Sequence, residues 1–174
     1  MRLWNPIINI NTLSLVLLFF LSTLGFSQSD SSITTLILIR HAEKMEDGSK
    51  NPQLSPLGYD RSLRLAELLQ NANISSIYST DFQRTTNTVK PIATVLSLSI
   101  TTYNSFDAAF ISSILSRHRG ETVLLCGHSN TTPQLLNLLV KEEKYAPLKE
   151  DEYNKIFVVS ITNKGEAKVL ELSY

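Results

Sequence analysis

The 174-residue chain has one cysteine, Cys126, and so cannot form an internal disulfide; its stability has to come from core packing. It has three histidines, His41, His118 and His128, too few and too scattered for a dedicated metal cage. No acidic residue occurs between Met1 and Ser27, and Arg2 is the only charge there. Basic and acidic residues balance at 16 each, so no polyanion-binding field arises and a nucleic-acid partner is not expected. Low-complexity tracts and internal repeats are absent. A chain of this length with 43% apolar residues suits one compact domain.

What is present begins with the apolar run from Leu13 to Leu24. It is shorter than the roughly 20 residues a membrane-spanning helix needs, and Gly25 and Ser27 place small residues two apart. That layout reads as a secretory signal peptide over 1–27, cut between Ser27 and Gln28. The expectation is a domain over 28–174, periplasmic or secreted, with no stable membrane insertion after cleavage. Lacking a cysteine after the apolar run, the segment does not read as a lipoprotein signal.

From Thr34 to Ile39 every residue is β-branched or leucine, which predicts a strand buried on both faces and ending at Arg40-His41. Ser55-Pro56 then pairs a capping residue with a first-turn proline, opening a helix to about Asn71. Its inner side is expected to carry Leu63, Ala66 and Leu69, or Leu65, Leu68 and Leu69. A short strand, Ile74 to Tyr78, stops at Ser79-Thr80-Asp81, a capping cluster for a helix to Leu96 that Pro91 is expected to kink. A weak strand around Ile100 to Tyr103 precedes a helical pattern from Asp107 to His118, with Gly120 ending it. The apolar strand Thr122 to Cys126, with Cys126 as a small buried hydrophobe, leads through Gly127-His128-Ser129-Asn130 into a helix ending at Val140. Ile156–Thr162 and Ala167–Leu172, joined by Asn163-Lys164-Gly165, read as a hairpin. Strands alternating with helices predict an α/β three-layer sandwich, its central sheet mostly parallel with an antiparallel edge hairpin.

In such sheets ligands bind beyond the carboxyl ends of the strands. Arg40-His41, Ser79-Thr80-Asp81 with Arg84, and Gly127-His128 all fall there. Guanidinium forks match phosphoryl oxygens bidentately, and a neutral imidazole can attack phosphorus and carry the phosphoryl group covalently. A second imidazole, when protonated, adds positive charge where the transition state is negative. Taken singly, each Arg or His at a strand end has a plain structural use, capping carbonyls or pairing with a carboxylate. Arg117-His118-Arg119 reads as a solvated helix end.

Leu38-Ile39-Arg40-His41-Ala42-Glu43 resembles the first motif of the histidine phosphatase superfamily, the phosphoglycerate-mutase-like group. Ser79-Thr80-Asp81-Phe82-Gln83-Arg84 with Thr88 is similar to its second motif, Gly127-His128-Ser129 to its third, and Leu54-Ser55-Pro56-Leu57-Gly58 to its usual helix entrance. The resemblance runs from about Thr34 to Leu172. It implies His41 as phosphoryl acceptor, Arg40, Arg84 and His128 as phosphate ligands, and no metal or organic cofactor. The implied ligand is a small phosphorylated substrate or inorganic phosphate. Little chain separates Arg84 from His128, which indicates a small, cap-less branch with an open site. For the leaving-group acid, Asp107 is the candidate, with an equal alternative as a helix cap; Glu43 is expected to orient the loop or His41, and Ser129 to support the site. Three functions stay open: a metal-independent phosphomonoester hydrolase, a protein phosphohistidine phosphatase, and a non-catalytic phosphate-binding domain.

Overall fold

The computed structural model describes residues 32–105, 107 and 109–174. The expected signal segment over 1–27 lies outside the described residues. Six strands form one sheet in the order β3-β2-β4-β1-β5-β6. These are β1 (Ile33–Arg40), β2 (Ile74–Ser79), β3 (Ile100–Thr102), β4 (Thr122–Gly127), β5 (Lys155–Thr162) and β6 (Ala167–Ser173). β1 to β4 run parallel, while β5 is antiparallel to β1 and β6 to β5. The α/β sheet with an antiparallel edge hairpin is therefore as expected.

Four helices are present among the described residues: α1 (Pro56–Leu69), α2 (Gln83–Leu96), α3 (Phe110–Arg117) and α4 (Thr131–Val140). β1 is apolar on both faces because both are covered. Leu36 and Leu38 join Phe110, Ile114, Leu135 and Leu136 on one side. Ile37 and Ile39 join Leu65, Leu69, Val89 and Ile92 on the other. Cys126 is fully buried in the second cluster, and burial pushes its thiol up, out of reach of ionisation.

Two local readings change. The inner stripe of α1 is Ser62, Leu65, Ala66 and Leu69, leaving Leu63 and Leu68 more than half exposed. α1 sits on the loop after β1 through Gly58, where a Cβ would lie 2.1 Å from the Glu43 carbonyl oxygen, and that approach sets which face turns inward. α2 begins later than the Ser79-Thr80-Asp81 cluster suggests; Phe82 is its cap and, having no side-chain acceptor, makes no cap bond, while the Thr80 hydroxyl is used elsewhere. Pro91 lies inside α2, which continues to Leu96.

Strand register positions the site. Arg40 is opposite Gly127, Ser79 opposite Cys126, and Ser79 opposite Thr102, so the parallel strands all end at one edge. β5 runs the other way, with Ile156 opposite Ile39, so the chain entering β5 arrives at that same edge.

Candidate active site at the carboxyl edge of the sheet

His41 and Arg40 leave β1 buried, at 4% and 3% exposure. The first residues past the strand are held by two contacts: the Ala42 amide donates to Thr88 Oγ1 (2.9 Å), one turn beyond Arg84 on α2, and the His41 amide donates to the Gly127 carbonyl (2.9 Å). The His41 ring donates from Nδ1 to the Ala42 carbonyl at 2.7 Å. A carbonyl only accepts, so the proton is on Nδ1 and the neutral ring keeps its lone pair on Nε2. Burial, opposed by that hydrogen bond and reinforced by Arg40, His128 and Arg84, lowers the pKa of His41 to about 3.

His128 follows β4, its ring centroid 5.5 Å from that of His41. A chain of hydroxyls sets its tautomer. Thr85 Oγ1 donates to the carbonyls of Thr80 and Phe82 (2.9 Å each), and Thr80 Oγ1 donates to Thr85 Oγ1 (3.0 Å). The Thr80 oxygen is left to accept from His128 Nε2–H at 2.9 Å. His128 Nδ1 is consequently the free nitrogen, 3.5 Å from the Arg84 guanidinium. Burial first, then Arg84 and Arg40, lower the His128 pKa to about 4. Gly127 is required between these groups, since a Cβ there would lie 2.9 Å from Thr131 Oγ1 and 3.1 Å from the Tyr103 hydroxyl.

The two guanidiniums are incompletely satisfied. Arg84 stacks on Phe82 (4.3 Å), and burial lowers its pKa from the usual arginine value; its Nε is buried with no partner among the described residues. Arg40 donates from Nη1 to the carbonyls of Lys149 (2.6 Å) and Glu152 (3.3 Å), and its Nη2 faces Glu150 at 3.4 Å. Tyr153 lies 4.1 Å from the Arg40 guanidinium and 6.0 Å, ring to ring, from His41. The buried Arg40 Nε also lacks a partner among the described residues. Such donors, charged and stripped of water, constitute an incomplete hydrogen-bond set that an anion completes.

The structure thus brings Arg40, His41, Arg84 and His128 together, and it places the other named residues around them. Glu43 receives three donations from the Arg61 guanidinium, at 2.6 to 3.0 Å. Burial acts to raise the Glu43 pKa, but the Arg61 hydrogen bonds outweigh it and hold the carboxyl below the usual range. Glu43 is a loop anchor, in line with the expectation for it. Ser129 contributes its carbonyl to the Leu148 amide (2.9 Å), tying down the segment before β5. Asp107 is exposed two residues ahead of Ala109, the cap of α3, and accepts from the Ala109 amide (2.9 Å) in a local turn; the helix has no side-chain cap bond, so the capping role expected as its alternative is not formed. His118 differs from the solvated helix end expected of it: it is 7% exposed, with Nε2 at 2.9 Å from the Tyr78 hydroxyl and Nδ1 at 2.7 Å from Glu121. No group of three metal-ligating side chains occurs among the described residues.

Thr85, Arg61 and the 149–153 segment escaped the sequence reading, which named Thr80 only within the Ser79-Thr80-Asp81 cluster. The 149–153 contacts join residues 109 to 112 positions apart, for which no local pattern exists. The serine- and threonine-rich spacing after β2 was the one available signal for the hydroxyl chain.

An α/β sheet whose carboxyl edge holds two neutral imidazoles between a buried and a half-buried guanidinium, both with an unpaired Nε among the described residues, presents an anion site suited to a phosphoryl group. Residues 36–107 match the family model "Histidine phosphatase superfamily (branch 1)", and over that span the chain is similar to the phosphatases of that superfamily. The matched span includes Arg40, His41, Glu43, Arg84 and Asp107; the fold adds His128. No curated protein matches the chain in sequence.

Among solved structures, the protein histidine phosphatase SixA, complexed with tungstate, aligns with a TM-score of 0.67 at 18% identity, covering 80% of this chain and 96% of its own. A phosphoserine phosphatase from Entamoeba histolytica, complexed with 3-phosphoglyceric acid, gives 0.66 at 15%, covering 81% and 97%. The mycobacterial glucosyl-3-phosphoglycerate phosphatase gives 0.66 at 13%, covering 82% and 98%. At these identities the likeness establishes the fold.

Proposed function

We propose that this chain is a metal-independent phosphomonoester hydrolase working through a phosphohistidine intermediate on His41. The observation that carries the reading is the His41 tautomer. Its Nδ1–H is committed to the Ala42 carbonyl, so a neutral Nε2 lone pair faces the cluster of Arg40, Arg84 and His128. In the first step Nε2 attacks phosphorus as the bond to the leaving oxygen breaks, and that oxygen departs with the electron pair. In the second step water attacks phosphorus, the N–P bond breaks, inorganic phosphate leaves and neutral His41 returns. Arg40 and Arg84 hold the phosphoryl oxygens in both steps, and the bound anion favours a proton on His128 Nδ1, turning that nitrogen into a donor.

The acid expected of Asp107 requires its carboxylate to leave the Ala109 amide. With that carboxylate exposed and held in a local turn, the reading favours substrates whose leaving oxygen or nitrogen departs without strong protonation. A phosphohistidine side chain on a protein belongs to that class too, and the fold shared with the protein histidine phosphatase SixA makes a protein phosphohistidine phosphatase the second reading. We further read 1–27 as a cleaved export signal, which the intact mass of protein recovered from its native cells tests directly.

The functional test is hydrolysis of an aryl phosphate by the domain with chelator present, wild type against His41→Ala. Turnover that survives chelation and disappears in the variant supports the proposal. Turnover that needs a metal ion, or that persists in His41→Ala, refutes it. No turnover of any phosphomonoester transfers the assignment to a phosphate-binding domain.

A further inference from the structure

We propose that Glu150 sets substrate preference at this site, discriminating against phosphorylated compounds with a second negative charge and favouring those with a positive one. The inference rests on the reading of the pocket as a phosphoryl site, and it concerns the part of the substrate beyond the phosphoryl group.

The geometry follows from the hydrogen bonds of Arg40. Its Nη1 is saturated by two backbone carbonyls, those of Lys149 and Glu152. What remains is the edge formed by Nε and Nη2. Nε is buried without a partner among the described residues, and that edge is the one a phosphoryl group takes bidentately. Nη2 also faces Glu150 Oε2, at 3.4 Å. Two acceptors served by one nitrogen stand about 5 Å apart. A phosphoryl group on the free edge therefore has the Glu150 carboxylate as its immediate neighbour, and the substituent on phosphorus passes close to it.

The environment decides the sign. Arg40 is 3% exposed, whereas the Glu150 side chain is 89% exposed, so the carboxylate sits on the solvent side of the guanidinium, at the mouth of the pocket. Lys149 gives Arg40 its carbonyl, and its amide is held by Glu152 (2.8 Å). The remaining charges of the pocket, Arg40 and Arg84, are engaged by the phosphoryl group itself. A substituent leaving the pocket on this side meets a negative charge first. At separations of 5 to 7 Å and the near-bulk screening of an exposed carboxylate, that field changes affinity by about threefold per unit charge, and so by about tenfold between substituents of opposite charge.

The test uses non-hydrolysable phosphonates, so that binding is read without turnover. Affinities of 2-aminoethylphosphonate and phosphonoacetate are measured by calorimetry on wild type, Glu150→Gln and Glu150→Lys, with Glu142→Gln as a control of equal charge change. Wild type and Glu142→Gln are expected to prefer the aminoethyl compound by about tenfold, Glu150→Gln to lower that ratio severalfold, and Glu150→Lys to invert it. A ratio in Glu150→Lys within about twofold of wild type overturns the inference, as does failure of wild type to bind either phosphonate. Failure of the hydrolase reading shows separately, as absent phosphate release in the aryl phosphate assay while the phosphonate ratio still responds to residue 150.

Discussion

Histidines lie at both ends of β4, His118 buried and His128 half-buried, and they differ in what surrounds them. His118, just ahead of the strand, has both ring nitrogens satisfied, by the Tyr78 hydroxyl and by Glu121, which also accepts from Ser75 Oγ (2.8 Å). His128, just after it, has one nitrogen fixed by Thr80 and the other turned toward Arg84. The first is a closed polar network with its hydrogen bonds complete. The second belongs to an open one in which two guanidinium Nε groups stay buried and unpaired among the described residues. Burial alone does not distinguish a working histidine from a structural one; the incompleteness of the surrounding donor set does.

Substitutions at the two ends should separate accordingly. The largest effect is expected from His41→Ala, which removes the nucleophile and should lower aryl phosphate turnover by about 10⁴-fold or more, to the background of the assay. Next, Arg84→Met should lower kcat/KM by roughly 10²- to 10³-fold. Its thermal midpoint should equal or exceed that of wild type, because a half-buried charge whose buried Nε is unpaired among the described residues is replaced by an apolar side chain. A midpoint well below wild type would show that the open network contributes to the fold.

At the other end, His118→Ala should show the reverse pattern. It leaves the buried Tyr78 hydroxyl and Glu121 without their partner and should cost about 2 kcal/mol in denaturant unfolding. Turnover of the folded protein should stay within about threefold of wild type, since no contact joins His118 to the pocket residues among the described residues.

The pH dependence of stability sharpens the same contrast. The folded pKa of His41 is depressed to about 3 and that of His128 to about 4, both chiefly by burial, so the folded protein keeps these rings neutral while the unfolded chain protonates them near 6.5. The unfolded state therefore binds more protons below about pH 6.5, and stability falls as the pH drops from there toward 4. For His41 alone the loss between pH 7 and pH 5 is about 2 kcal/mol. His41→Asn should flatten that slope; an unchanged slope would mean that the ring is protonated in the fold.

The sequence displays the parts of this site that depend on position along the strands. Unbroken apolar runs mark β1 and β4 as doubly covered, and a reactive pair after each follows from the strand-end rule. Asn163-Lys164-Gly165 places the hairpin, with Gly165 taking the positive φ of 77° that favours glycine. Other features are invisible there for physical reasons. The α1 stripe is fixed by the approach of Gly58 to the Glu43 carbonyl, which hydropathy does not encode. The Arg61 pairing with Glu43 and the wrapping of Arg40 by the 149–153 segment are long-range contacts. The second arises because antiparallel β5 returns the chain to the site edge. His118 was misjudged because its flanking arginines suggest solvent, while the turn after α3 folds its ring inward against Tyr78.

The most direct test of the central claim is to quench a reaction of the protein with an aryl phosphate at millisecond times, chelator present, and locate any covalently bound phosphoryl group by peptide mapping. The account predicts an acid-labile, alkali-stable phosphoryl group on the peptide containing His41. Label on a serine, threonine, cysteine or carboxylate, or full turnover with none bound at His41 at any time, would contradict it.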